Sequence, residues 1–150
     1  MFDGRLAEDF KLVTGTWVTV GRLRTALVSA AAGVLSDAVI AGHDREYAAA
    51  LGWVDPAEAR RACGSDTDVP LDDPRLRGQL QDALARLNRG AGSASRIQRL
   101  LLLDHPPDLD AGEITDKGYV NQRKVLERRA TDVERLFAED GGPEVILAPR

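Results

Sequence analysis

The chain is poor in the residues that build covalent or metal-held frameworks. Of its 150 residues one is cysteine, Cys63, and two are histidine, His43 and His105. A lone cysteine cannot close an internal disulfide, and no Cys/His cluster offers metal-ligand spacing. Neither histidine has a Ser, Cys or acid at a spacing that resembles a nucleophilic triad. Apolar runs are short; residues 100–103 (LLLL) are four long, far below a membrane span. The first residues lack the basic-then-apolar order of a secretory signal, so the expectation is a cytoplasmic protein without metal. No GxxxxGK[ST] or GxGxxG loop occurs. With 24 acids against 20 bases mixed along the chain, the net charge of −4 gives no field for nucleic acid.

What is present fits one folded domain. Hydrophobic residues make up 43% and charged residues 29%, ordinary for a globular chain too short for two independent cores. Residues 10–20 (FKLVTGTWVTV) alternate large and small side chains around Gly15 and predict a β hairpin. Leu23, Leu27, Ala30 and Val34 then mark one helical face. DAVIAGHD and REYAAALGWVD predict a second hairpin, and DPAEARRAC a short helix with Asp55 as N-cap and Pro56 in first position. After a Gly/Ser/Asp/Pro loop over 64–73, a helix from Pro74 carries Leu76, Leu80, Leu84 and Leu87 on one stripe. RIQRLLLLDHPP predicts a buried strand, and NQRKVLERRATDVERLFAED one long helix with Asn121 as its cap and Leu126, Ala130, Val133 and Phe137 on one face. The sum is an α+β domain, a small sheet of about three strands covered on one face by helices.

Two separated blocks carry a resemblance to a known family. DGRLAEDFKLVTGTWVTVGRLR near the start and DAGEITDKGYVNQRKVLERR near the end, with AVIAGHDR between them, resemble the C-terminal lid domain of the adenylate-forming superfamily of acyl-CoA and aryl-CoA ligases. EDFKL followed by TGTWV is closest to the feruloyl-CoA synthase branch. The resemblance is dense over 3–55 and 100–139 and thin over 57–97.

The resemblance implies a single lid domain over 1–150: hinge and hairpin in 1–20, an α+β core in 21–139 and a tail in 140–150, with the large N-terminal ATP- and acyl-binding domain absent from these residues. It implies ATP and coenzyme A as co-substrates, Mg2+ arriving with ATP on the large domain, an aromatic or other carboxylic acid substrate, and that large domain as partner in cis or in trans. In such ligases a carboxylate forms an acyl-adenylate and a thiol then displaces AMP, the lid rotating between the two steps. By the same resemblance Arg5 approaches the nucleotide and Glu8, with Asp9 as second choice, is the hinge. Gly15 lines the coenzyme A tunnel; its other reading is a plain turn glycine.

Relatives place their catalytic lysine directly after the loop glycine, whereas here Tyr119 follows Gly118 and the available cation, Lys117, precedes it. Lys117 is therefore the candidate catalytic residue. The bland reading is an exposed turn lysine. Tyr119 contacts substrate or anchors the loop. Arg75, Arg77, Arg86, Arg89, Arg96 and Arg99 form a basic strip or simply a solvated face. The alternative to a ligase part is an orphan, non-catalytic module of lid shape.

Overall fold

The computed structural model describes residues 8–139 and 144–149. The N-terminal hairpin pairs β1 (Phe10–Lys11) with β2 (Trp17–Val18) in antiparallel register, Phe10 opposite Val18 and Lys11 opposite Trp17. The period-two alternation sends Phe10, Leu12 and Val18 inward and leaves Val13 and Trp17 exposed. Helix α1 (Val20–Ala30) buries Val20, Leu23 and Leu27 at spacings of three and four. Thr19, at its N-cap, makes no side-chain cap bond; the Asp9 carboxylate instead accepts from the Val20 N–H at 2.9 Å.

The second predicted hairpin is the centre of the molecule. Strands β3 (Leu35–Ala41) and β4 (Ala49–Val54) run antiparallel, with Ala41 opposite Ala49 and Ile40 opposite Ala50. The short side chains that weaken the strand signal are what the packing needs. Ala38, Ile40, Ala48 and Ala50 face one buried cluster, and Val39, Ala41, Ala49 and Leu51 face another. A strand covered on both faces reads as a continuous apolar run rather than an alternating one. The sheet is thus covered on two faces rather than one, a correction to the sequence expectation.

Helices α2 (Pro56–Cys63) and α3 (Pro74–Asn88) form the crossover from β4 to the parallel strand β5 (Arg99–Leu102). Helix α2 begins as the sequence predicts, on the Asp55 cap followed by proline; α3 starts at the predicted Pro74, and the structure adds Asp73 as its cap, accepting from Arg75 N–H. Leu76, Leu80, Ala83 and Leu84 of α3 pack into the cluster that also holds Leu23 and Leu27 of α1. The opposite face is closed by α4 (Gln122–Arg128) and α5 (Ala130–Leu136), whose Val125 and Leu136 meet Leu51, Trp53 and Leu101.

Three further expectations are corrected. The long C-terminal helix is broken at Arg129, whose φ −109° and ψ 36° leave the helical region; its guanidinium is drawn away to partners outside the helix. The sheet has four strands in the order β3-β4-β5-β6. The extra strand, β6 (Val145–Leu147), pairs antiparallel with β5 and lies inside what the sequence presents as a tail. Three residues behind Gly141, Gly142 and Pro143 carry too little periodicity to announce a strand.

Gly42 opens the β3–β4 connection at φ +152°, and an added Cβ would meet Phe10 Cε1 and the Tyr47 carbonyl oxygen at 3.0 Å. Gly42→Ala is therefore expected to cost about 1–3 kcal/mol from backbone strain. Urea unfolding checks it, and a loss below a few tenths would show that the turn relaxes freely.

Candidate functional site: the loop over residues 104–121

Past β5 the chain leaves the sheet and returns as a closed loop. The Trp53 indole N–H fixes its start by donating to the His105 carbonyl at 2.8 Å. Asp108 and Glu113 exchange main-chain and carboxylate bonds: Glu113 N–H to the Asp108 carbonyl, and Asp108 N–H to Glu113 Oε1, both 2.9 Å. Ile114 bridges Val120 in antiparallel fashion. Inside that bridge Thr115 N–H donates to the Tyr119 carbonyl at 2.7 Å, and Gly118 N–H to the Thr115 carbonyl at 2.9 Å. Asp116, Lys117, Gly118 and Tyr119 are the exposed end of this narrow turn. Asn121 caps α4 by accepting from Lys124 N–H, as the sequence predicts, while its own N–H donates to the Glu113 carbonyl at 2.8 Å.

The loop is bolted down by charge buried beneath it. Glu113 is fully buried and receives Arg129 Nε at 2.9 Å on one carboxylate oxygen. The Arg129 Nη2 meets the other at 3.0 Å, with Arg128 3.2 Å away on the same side. The same Arg129 Nη2 also donates to the Pro106 carbonyl at 3.0 Å, and its guanidinium lies 5.6 Å from the Trp53 ring centre. The Arg129 hydrogen bonds hold the Glu113 carboxyl below its ordinary pKa against the opposing effect of burial, with the Asp108 N–H adding to the depression. Arg129 is raised in turn, chiefly by Glu113. A bidentate, hydrogen-bonded pair of this kind fixes orientation as well as energy.

One residue further on, the buried Gln122 side chain locks α4 to the sheet edge. It accepts from Ile40 N–H at 2.9 Å and donates to the Ile40 carbonyl at 3.0 Å, completing the outward-facing pair of an edge strand as another strand would. Neither Glu113, Arg129 nor Gln122 stands out in the sequence. Their partners lie 16 and 82 positions away, and each letter reads locally as ordinary loop or helix-surface polarity.

A family model of the AMP-binding enzyme C-terminal domain matches residues 10–141. The chain belongs to this family.

This AMP-binding enzyme C-terminal domain is 24% identical over 114 residues to the long-chain-fatty-acid–CoA ligase FadD15 of Mycobacterium tuberculosis, covering 71% of the chain and 19% of that ligase. The ligase of the same name from Mycobacterium bovis matches to the same extent. Among solved structures, the A domain of carboxylic acid reductase from Segniliparus rugosus, in complex with AMP and a co-purified carboxylic acid, superposes at a TM-score of 0.70. The identity is 23%, over 90% of this chain and 20% of that one. The A-PCP didomain of the same reductase, in complex with AMP, gives 0.68 over 87% and 17% at 23% identity. These two likenesses establish the fold. The domain spans about a fifth of the length of the relatives it matches.

The domain places its sequence-predicted residues on separate elements. Lys117 is at the tip of the 114–120 turn, on the base made by Glu113, Arg129 and Asn121. Gly15 is in the β1–β2 turn at φ +89°, where an added Cβ would touch nothing within 4 Å. That turn is tied to the β3–β4 connection, through Val13 N–H to the Arg45 carbonyl (2.8 Å) and Asp44 N–H to the Lys11 carbonyl (3.1 Å). Glu8 is half-buried at the start of the described chain and Asp9 is engaged as the cap of α1. Arg5 lies outside the described residues.

The supposed basic strip is mostly structural stapling. Arg75 donates to the Cys63 carbonyl, Arg77 to the Glu144 and Val145 carbonyls, Arg86 to the Ala30 carbonyl, and Arg99 to the Leu136 and Ala138 carbonyls. Cys63 packs partly buried against the core at the end of α2. Among the described residues no group of three His, Cys, Asp or Glu gathers as a metal site, and no helix is long and apolar enough to cross a membrane.

Proposed function

We propose that this domain is the mobile lid of an ATP-dependent carboxylic acid–CoA ligase of the feruloyl-CoA synthase type, and that Lys117 is the cation it brings to the adenylation step. The observation that carries the reading is the loop itself, a narrow exposed turn presenting Lys117 on a rigid, buried, charge-paired base, inside the region matched by the family model. In the first half-reaction a carboxylate oxygen attacks the ATP α-phosphorus and pyrophosphate leaves. Charge builds on the phosphoryl oxygens, and an ammonium held beside them in a closed site stabilises that transition state. In the second, the coenzyme A thiolate attacks the acyl carbon and AMP leaves. The lid presents the Gly15 turn in that step, and Arg5 meets the nucleotide.

Because the Asp9 carboxylate caps α1, Asp9 moves with the body of the lid. A pivot at Glu8, immediately before it, lets the lid turn without breaking that cap. Mg2+ travels with ATP on the large domain. A hydroxycinnamate such as ferulate is the proposed acid, on the wording of the two sequence blocks.

Lys117→Ala in the complete ligase is expected to lower adenylate formation roughly 10²-fold. Thioester formation from preformed acyl-adenylate stays within about twofold, because a group used only in the first transition state affects only that step. Carboxylate-dependent ATP–pyrophosphate exchange reads the first step, and unchanged exchange would make Lys117 a surface lysine. Adding the purified chain to a large domain lacking its lid should restore turnover; failure with a matched partner favours a non-catalytic module.

A further inference from the structure

Resting on the reading of the 114–120 loop as the adenylation loop, we infer that the Glu113–Arg129 pair is its positioning device, setting the loop for adenylation and having no part in the thioester step. Four observations converge on Arg129. Arg129 binds both oxygens of Glu113, the residue immediately before the turn. It also binds the Pro106 carbonyl at the beginning of the loop. It lies near the ring of Trp53, whose indole N–H holds His105. Its own backbone is the break between α4 and α5.

The Glu113 main chain continues the scaffold by accepting from Asn121 N–H, where the loop re-enters α4. Entry, base and exit of the loop therefore meet at a single ion pair, while the exposed tip makes its turn above it. If the pair served only the domain's own stability, contacts to Glu113 and the α5 start would suffice. A tie to Pro106 on the far limb adds orientation of the loop as a whole. The Gly15 turn hangs from different elements, β1, β2 and the β3–β4 connection, so the two half-reactions draw on separately fixed loops.

The experiment uses the complete ligase with three variants: Lys117→Ala, Glu113→Gln and Arg129→Lys. The last keeps a positive charge beside Glu113 and so keeps the domain folded, but it loses the planar fork that reaches two oxygens and Pro106 together. ATP–pyrophosphate exchange reads adenylation, thioester formation from preformed acyl-adenylate reads the second step, and thermal unfolding reads the fold. The expected result for Arg129→Lys is an adenylation rate lower by roughly tenfold, with the thioester step within about twofold. Glu113→Gln should lower adenylation further.

Equal loss in both half-reactions, or loss that tracks unfolding, makes the pair merely structural and overturns the inference. Loss in Lys117→Ala with none in the pair variants overturns the positioning role and keeps Lys117. Selective loss in the pair variants with none in Lys117→Ala keeps the positioning role and transfers the chemistry to another residue of the loop. Silence in all three overturns both.

Discussion

Glu113→Ala is expected to lower the unfolding free energy of the chain by about 3–5 kcal/mol, the range for breaking one side of a buried ion pair. The cost comes less from the attraction lost than from what remains. Arg129 keeps its charge beside Trp53 with the Pro106 carbonyl as its remaining hydrogen-bond acceptor among the described residues and the Asp132 and Asp104 charges as weaker compensation, and the Asp108 N–H loses its acceptor. Replacing both members, as in Glu113→Met with Arg129→Leu, is expected to cost less than Glu113→Ala alone, because no uncompensated charge is buried. Urea unfolding of the three chains settles the order; additive losses would show that the two residues act independently.

The pair also sets an acid limb. The folded-state pKa of Glu113 is depressed, so its contribution to stability is present above the carboxyl's ordinary value, near 4.5, and is lost as pH falls through the lower folded value. Glu113→Gln should flatten that part of the stability profile, and an unchanged slope would place the acid sensitivity elsewhere.

The second large loss is expected from Gln122→Leu, at about 2–6 kcal/mol, since two buried main-chain groups lose their partners together and each costs about 1–3 kcal/mol. Leucine fills the volume, so the loss reports the hydrogen bonds rather than a cavity. Ile40 N–H and C=O point away from β4 at the edge of the sheet, and among the described residues Gln122 meets both. Hydrogen exchange at the Ile40 amide should quicken by more than the global loss alone predicts. If exchange tracks global unfolding alone, the side chain is not the local lock it resembles.

How far the sequence spoke depended on how far apart the speakers stood. The Asp55–Pro56 and Asn121 caps, the first hairpin around Gly15 and the leucine stripe of α3 are local patterns, and each formed where its letters place it. The break at Arg129 and the burial of Glu113 were invisible because each needs the other, and no periodicity couples positions 113 and 129. The second hairpin was legible but ambiguous, since alanines that read as weak strand formers are the side chains a sheet with helices on both faces accommodates. Of the candidate site, the exposed turn that holds Lys117 was legible in the composition of the loop, whereas the base beneath it was not.

Strand β6 carries one more consequence, for the order in which the fold is finished. Its partner β5 lies over forty residues earlier in the chain and has an open flank until residues 145–147 pair with it, a contact of long sequence separation that closes late in folding. A boundary drawn where the family match ends, at residue 141, would remove Val145 and Ile146 from the core and expose the backbone of Leu100 and Leu101 to any passing strand. In the folded domain β6 thus covers the flank of β5 that would otherwise be open to strand addition.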